Sequence, residues 1–291
     1  MFAIMGATGQ TGGMALAAIL EAGRQARAIV RDPERARSVV GEGATLAKAD
    51  LDDIDALTAA LTGVEAAYVL NPVSVVADDV FAAAARTGAA IAEAIRRAGV
   101  PHVVALSSSG AHHAEGTGIV RSLHRFEAVL RGAAPSLTFI RATEFMENWG
   151  GMLGVAAEHG VLPSMRQPLD RREETVSARD VGRQVAQELL RPHAGERIVN
   201  LKGPAEYAPE DAARALSELL GKPVTAVATP RAEWEDGLIA AGLGASYARE
   251  LAALYDAMNA GRAAFEPVGE TRRGSVTLKE ALAGLLAGSP G

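Results

Sequence analysis

Phe2-Ala-Ile-Met-Gly-Ala-Thr-Gly-Gln-Thr-Gly-Gly13 is the stretch on which the reading of this chain turns. A short apolar run, Phe2 to Met5, opens into Gly6, Gly9 and Gly12 directly before an Ala/Leu-rich segment, and this reads as strand, tight turn and helix. In that arrangement the first glycine permits a sharp turn, the second lets a pyrophosphate approach the backbone, and the third lets the helix pack closely on the strand. A helix starting near Gln10 would direct its free N–H groups and positive dipole end at the phosphates. Without a ligand, the same stretch is a glycine-rich strand-to-helix turn. Its flanks are those that a dinucleotide loop requires.

Composition narrows what such a loop can serve. The chain has 291 residues, 48% of them hydrophobic, enough for one large α/β domain or a core domain with a smaller lobe. A formal net charge of −6, spread without a basic block, argues against nucleic acid or an anionic membrane as partner. No run approaches the roughly 18 apolar residues of a membrane span. Residues 1–5 lack a basic leader and feed straight into the glycine loop, so the N-terminus is expected to be a buried strand and the protein cytoplasmic. With no Cys, disulfides, thiolate nucleophiles and Cys–metal sites are excluded.

Strands and helices then alternate. Gly23 is placed to cap the first helix, and Gln25–Val30 is a second strand ending in Arg31-Asp32-Pro33. The tip of that strand meets the adenosine ribose in a dinucleotide fold: an acid there bonds a 2′-hydroxyl, an Arg pairs with a 2′-phosphate. Arg31, with Arg35 one helical turn later, favours NADP(H) over NAD(H), whereas Asp32 keeps NAD open. After a short helix at 33–40, Ala44–Ala49 is a third strand ending at Asp50 and Leu51; Asp50 could face the adenine, and Asp52 or Asp53 is expected to cap a helix at 54–62. Ala66–Leu70 is a fourth strand broken by Asn71-Pro72, a helix fills 78–98, and His102–Leu106 is a fifth strand running into Ser107-Ser108-Ser109-Gly110. A helix at 118–131 and a sixth strand, Leu137–Ile140, follow.

This order specifies an α/β, Rossmann-type doubly wound parallel sheet with the ligand across its C-terminal strand ends. Residues 150–176 look like a loop-rich insertion, Ser177 starts a helix reaching about Leu190, and Arg197–Leu201 returns as a strand. Helical stretches follow near 208–220, 231–241 and 245–261, and a small-residue tail ends the chain at Gly288–Gly291. We therefore expect a nucleotide-binding domain over 1–149, completed by 177–202, and a smaller C-terminal substrate-binding lobe from 150–176 and 203–291.

The chain resembles the atypical short-chain dehydrogenase/reductase superfamily in its NmrA-like branch, which includes NAD(P)H-dependent quinone and azo reductases and redox-sensing regulators. The resemblance rests on Gly6–Gly13 with its Gly-x-x-Gly-x-x-Gly spacing, on Val30-Arg31-Asp32, Ala49-Asp50-Leu51, Leu106-Ser107-Ser108, and Arg141 through Phe145-Met-Glu-Asn148. It implies that Gly6, Thr8, Gly9, Gln10, Gly12, Arg31, Asp50, Asn71 and Ser107 lie along the cofactor. Their neighbours Ala7, Thr11, Arg35, Leu51, Leu70, Pro72 and Thr143 complete the expected cofactor contacts.

The superfamily's Tyr-x-x-x-Lys pair, in which Lys lowers the Tyr pKa, is missing: four residues after Tyr68, Tyr207, Tyr247 and Tyr255 stand Pro72, Asp211, Leu251 and Asn259. His124, one turn from Arg121 and Glu127, is a candidate replacement proton donor, or else it simply bonds Glu127 or a backbone group. Ser108 could bond a substrate oxygen or satisfy a strand end; Glu144 could face the nicotinamide or serve as an acid at a helix start. Phe145 and Trp149 could line an apolar pocket or pack the lobe. His112-His113 would point apart in a strand, and with His124 they make no convincing metal set. Gly-x-Ser-x-Gly and Walker loops are absent.

The expected activity is hydride delivery from NAD(P)H to a small conjugated acceptor of quinone, enone or azo type. A non-catalytic NAD(P)-binding redox sensor and a tailoring reductase or coupling enzyme of aromatic secondary metabolism are the alternatives. The expected partner is a small molecule, with neither nucleic acid nor membrane, and both monomer and homodimer are compatible with the chain.

Overall fold

The computed structural model describes residues 1–40 and 43–288; residues 289–291, the end of the small-residue tail, lie outside the described residues. The first half alternates β1 (Phe2–Met5), α1 (Gln10–Glu21), β2 (Ala26–Val30), α2 (Pro33–Val40), β3 (Ala44–Lys48), α3 (Ile54–Leu61), β4 (Ala66–Val69), α4 (Val80–Ala98), β5 (His102–Ser108), α5 (Arg121–Leu130) and β6 (Ser136–Ala142). Shorter elements follow: β7 (Glu144–Phe145), α6 (Leu153–His159), β8 (Val161–Ser164), β9 (Glu173–Val176), α7 (Ala178–Leu189) and β10 (Gly195–Lys202). The chain continues through β11 (Glu206–Tyr207), α8 (Pro209–Leu220), β12 (Thr225–Ala228), α9 (Trp234–Ala240), α10 (Ala245–Asn259), β13 (Glu270–Arg273) and α11 (Leu278–Leu286). Among the described residues no helix is long and apolar enough to cross a membrane.

Eight strands form one sheet in the order β13-β10-β6-β5-β4-β1-β2-β3, with every neighbouring pair parallel. From β1 the chain winds outward to β2 and β3 on one side, then crosses to β4 on the other, so the switch point falls beside the glycine loop. Period-two alternation sorts the strand residues between two cores. Phe2, Ile4, Ala66 and Tyr68 face one layer with Leu16, Ile19, Val181 and Val185 of α1 and α7. Ala3, Met5, Ala67 and Val69 face the other with Leu57, Ile91, Ile95 and Phe126 of α3, α4 and α5. Both faces are covered, which is why these strands read as continuous apolar runs.

Helix ends follow local chemistry. Asp53, one of the two expected caps, accepts from Ala56 N at 2.9 Å, and Asp79 accepts from Phe81 N and Ala82 N at 2.9 Å. Gly23 sits one residue past the α1 C-cap, with φ +70° and its N–H on the Leu20 carbonyl at 2.9 Å.

The second half needs two corrections. Residues 150–176 are not merely a loop, since they hold α6, β8 and β9, and β8 pairs in parallel with β12. The stretch 203–291 does not belong wholly to a separate lobe, because β13 joins the central sheet with Val199 opposite Glu270 and Lys202 opposite Arg273. The unforeseen helix α11 begins with a Thr277/Glu280 capping box and buries Leu278, Ala281 and Leu282 in a third core with Met146, Ala156, Leu162 and Leu216.

At the N-terminal end of β5, remote from the glycine loop, His102 is 1% exposed, with Nδ1 2.6 Å from Ser136 Oγ and Nε2 3.0 Å from the Glu188 carbonyl oxygen. The carbonyl can only accept, so Nε2 carries a proton. Burial first, then the neighbouring His193, holds its pKa down at about 4. A histidine with a depressed folded-state pKa withholds a proton that the unfolded chain binds. Stability from this group is therefore complete above about pH 6.5 and is lost as the pH falls toward 4, by on the order of 1 kcal/mol for each pH unit. Urea unfolding between pH 7.5 and 4 should show this slope, and His102→Gln should flatten it. Parallel profiles for the two proteins would contradict the assignment.

Candidate active site

The glycine loop has the geometry its spacing implied. Gly6 takes φ +63°, its carbonyl accepts from Gly9 N at 2.8 Å, and α1 starts at Gln10. Gly9 is the α1 N-cap and supplies no side-chain cap, which leaves the first-turn N–H groups to a ligand or water. A Cβ on Gly12 would lie 2.2 Å from the Gly6 oxygen and 2.7 Å from the Met5 oxygen, so only glycine permits α1 to approach β1 this closely. Thr8, Gly9 and Gln10 are exposed around the turn, whereas Ala7 is 1% exposed and serves the core. The Thr11 hydroxyl is buried against Tyr68, with the two oxygens 2.9 Å apart, so what it turns to the loop is its backbone.

At the tip of β2, Arg31 is exposed and, among the described residues, makes no hydrogen bond or ion pair. Asp32 is already engaged, its Oδ1 accepting from Glu34 N and Arg35 N at 3.1 and 3.2 Å and its other oxygen 3.8 Å from Arg35 Nε. Asp50 is exposed at the end of β3 beside half-buried Leu51, bordering an open hollow with Asp52, Asp53, Asp55 and Arg97.

Where the sheet's central strands end, a cavity of about 810 Å³ opens. Leu70, Asn71, Pro72, Ser107, Ser108, Thr143 and Glu144 all line it, so seven residues singled out in the sequence converge there from β4, β5, β6 and β7. The far wall is α10, whose Tyr247, Leu251, Leu254, Tyr255 and Met258 recur at helical spacing and so share one face. Phe145 and Phe265 add apolar surface, while Trp149 packs in the third core instead. At this volume, with a mostly apolar wall and a few convergent polar groups, the cavity matches a small-molecule site.

A buried ionic fork fixes the rear of that site. Arg141 donates from Nε to Glu127 Oε1 at 2.8 Å and from Nη2 to Glu127 Oε2 at 2.7 Å, and its Nη1 reaches Glu266 at 2.8 Å. Ser107 donates to the same Glu127 Oε1 at 2.6 Å, so the fork fixes a residue of the cavity lining. Glu147, from the Phe-Met-Glu-Asn segment, accepts from Ser177 Oγ at 2.6 Å and Ala178 N at 3.0 Å, tying the lining strand to the start of α7.

Of the two readings open for His124, the structure shows the backbone bond, and the expectation for His112 and His113 is corrected. His124 is not among the residues lining the cavity; its Nδ1 lies 2.9 Å from the Ala111 carbonyl, which holds α5 to the loop after β5. His112 and His113 occupy a turn rather than a strand and do not point apart, their ring centroids being 3.8 Å from each other. Among the described residues there is no cluster of His, Asp and Glu able to hold a metal.

Glu144 proves the more consequential acid. Its Oε1 accepts from Tyr255 at 3.3 Å, its Oε2 stands 3.3 Å from Arg166 Nη1, and burial pushes its carboxyl above the usual range with Arg166 opposing. Tyr255 is raised well above 10 by burial and then by the Glu144 charge. Sequence reading missed Tyr255, Tyr247 and Arg166. The α10 stripe was visible as spacing, but its encounter with Glu144, more than a hundred residues earlier, was not.

These residues fit a dinucleotide. The α1 N-terminus lacks a side-chain cap, and the buried Asn71 Oδ1 and Thr143 Oγ1 on the cavity wall have no hydrogen-bond partner, as positions awaiting ligand donors or acceptors would. Known proteins agree. The chain is 28% identical over 256 residues to an NAD(P)H azoreductase of Xenophilus azovorans, covering 88% of this chain and 86% of that protein. It is 27% identical over 247 residues to quinone oxidoreductase 2 of Escherichia coli K12, covering 84% and 82%. Among solved structures, the E. coli NADPH-dependent quinone oxidoreductase with NADPH superposes at a TM-score of 0.80, with 26% identity over 98% of this chain and 100% of the other. Triphenylmethane reductase of Citrobacter sp. with NADP(H), 23% identical, shares the fold at a TM-score of 0.81 over 97% and 99%. The NmrA-like family model matches residues 1–279, and with the glycine loop, the switch point and the cavity beside it in place, the chain belongs to the NmrA-like family.

Proposed function

We propose that this protein is an NADPH-dependent oxidoreductase that reduces a small, flat, conjugated acceptor of quinone, enone or azo type. The observation that carries the reading is the apolar-walled cavity at the strand ends, continuous with Asn71 and Thr143, whose buried polar atoms have no partner. The azoreductase and quinone oxidoreductase relatives support the same class of chemistry. A non-catalytic sensor would not need a walled cavity for a second molecule.

The nicotinamide, when bound, supplies a hydride. The chain's own residues do the rest: the first turn of α1 binds the pyrophosphate, and Asn71 and Thr143 offer polar atoms at the cavity end. Leu251, Leu254, Met258, Phe145 and Phe265 exclude water and hold a flat ring, and the Glu127–Arg141 fork holds Ser107 still. Orienting donor and acceptor in this way can contribute as much as about 7–11 kcal/mol.

For the 2′-phosphate we assign Arg31, a cation with no competing partner at the β2 tip, in preference to Asp32, which is occupied at the start of α2. A charge-assisted bond of about 1.5–3 kcal/mol corresponds to roughly a ten- to hundredfold change in affinity. Fluorescence titration of Arg31→Ala should show that loss for NADPH with NADH binding unchanged; an equal loss for both cofactors would remove Arg31 from this role.

A further inference from the structure

We propose that Tyr255 donates the proton that completes reduction of the acceptor, and that Glu144 resupplies it. The inference rests on the reductase reading and assigns the step left vacant by the missing Tyr-x-x-x-Lys pair and by His124, which stands outside the cavity lining.

Both side chains line the cavity, and they come from elements distant in the chain, Glu144 from β7 and Tyr255 from α10, to meet at 3.3 Å. The Tyr255 ring is fixed edge-on against Trp234, with centroids 6.3 Å apart and planes at 71°, and Trp234 is itself anchored by donation to the Thr229 carbonyl at 2.8 Å. Glu144 Oε2 is buried, with Arg166 Nη1 at 3.3 Å but no well-aligned hydrogen bond. Of the other proton carriers on the wall, Ser107 donates to Glu127, Glu173 pairs with Arg171 at 2.7 Å and Glu174 pairs with Lys202 at 3.0 Å, while Tyr247 makes no hydrogen bond among the described residues and so lacks the link to a carboxyl that Tyr255 has. Tyr255 and Glu144 form a linked pair on the cavity wall, in which the carboxyl can replenish the phenol across their 3.3 Å bond.

In the geometry observed, the phenol donates to Glu144 Oε1. When the carboxyl is protonated this bond reverses, and the phenol proton is free for the cavity. Once hydride has reached the acceptor, the acceptor carries the electron pair as an oxygen or nitrogen anion. The Tyr255 O–H bond breaks as the acceptor O–H or N–H bond forms. The Glu144 O–H bond breaks as the phenol O–H is restored, and solvent reprotonates the carboxylate. Both electrons arrive with the hydride, and the relay moves protons alone.

The groups facing this pair are Arg166, Glu173 and Asn148 around Glu144, and Arg166 and Tyr247 around Tyr255. Burial raises the Glu144 pKa against the pull of Arg166, so the protonated, competent form prevails at low pH and turnover declines as the pH rises through that value.

The test compares acceptors of different basicity. With an azo dye, whose reduced anion is strongly basic, Tyr255→Phe should lower kcat about a hundredfold; with benzoquinone, whose anion is a stabilised phenolate, the loss should stay within about threefold, and the KM for NADPH should not move. Glu144→Gln should remove the alkaline decline of kcat on the azo dye. A second readout needs no cofactor: 4-nitrophenolate bound in the cavity should change its visible absorption on accepting the Tyr255 hydrogen bond, and Tyr255→Phe should abolish the change. Equal losses on both acceptors, full azo activity in Tyr255→Phe, or an unchanged nitrophenolate spectrum would each overturn the assignment. If none of the acceptors supports NADPH oxidation by the unaltered protein, the reductase reading falls, while the nitrophenolate spectrum still decides whether Tyr255 is a donor into the cavity.

Discussion

Gly12→Ala should cost at least the upper end of the about 1–3 kcal/mol typical of overpacking and should abolish NADPH binding. Its new Cβ would lie 2.2 Å from the Gly6 oxygen and 2.5 Å from the Gly6 carbonyl carbon, both backbone atoms that no rotamer change can move aside. Relief requires α1 to lift from β1, and the helix N-terminus proposed to bind the phosphates lifts with it. Gly9→Ala is the informative contrast, because its nearest clash is the Gly6 oxygen at 3.3 Å. That protein should keep most of its stability and lose cofactor affinity, since the added methyl occupies the side on which a pyrophosphate approaches. Thermal unfolding and NADPH titration of the two variants separate the packing glycine from the ligand glycine. Equal stability of Gly12→Ala and the unaltered protein would mean that the helix does not approach the strand as described.

Arg141→Ala should cost about 3–5 kcal/mol, because it strands Glu127 as an unpaired charge in the interior. Glu127 is 1% exposed and Arg141 2%, so neither can turn to solvent when its partner is removed. Arg131 reaches Glu127 at 3.3 Å but through a single bond from a half-exposed side chain, too little to replace the two bonds of the fork. Replacing both members, Glu127→Leu with Arg141→Met, should recover much of the loss, because a buried pair is worth little more than apolar side chains of similar volume. Chemical denaturation of the single and double variants completes the cycle; a loss below about 1 kcal/mol for Arg141→Ala would contradict a buried, desolvated pair. Ser107 loses its acceptor in either single or double variant that removes Glu127, so acceptor turnover should suffer even where stability returns.

The nucleotide-binding half was legible in the sequence because its determinants are local. Glycine spacing, strand-length apolar runs and the caps at Asp53 and Gly23 are each decided within a few residues, and these placed the sheet and its switch point. The cavity was legible from one side only. Asn71, Ser108, Thr143 and Glu144 could be read because they follow strands whose C-terminal ends must converge in a parallel sheet. The opposite wall depends on where α10 docks, and no local signal states that Tyr255 meets Glu144 or that Arg141 reaches Glu266. β13 was missed for a related reason: Glu270-Thr-Arg-Arg273 is an exposed, charged edge strand without the apolar pattern of a buried one. For His124 the sequence left a proton donor and a backbone partner both open, and the ring completes a backbone hydrogen bond.

The most direct test of the central claim is anaerobic rapid mixing of the protein–NADPH complex with a quinone, followed at the nicotinamide absorbance. The account predicts saturable NADPH binding with the Arg31-dependent preference over NADH, then oxidation of one equivalent of bound NADPH in a single phase whose rate saturates with quinone concentration. Bound NADPH that stays reduced across quinones, enones and azo dyes, or a chain that binds neither nucleotide, would contradict it.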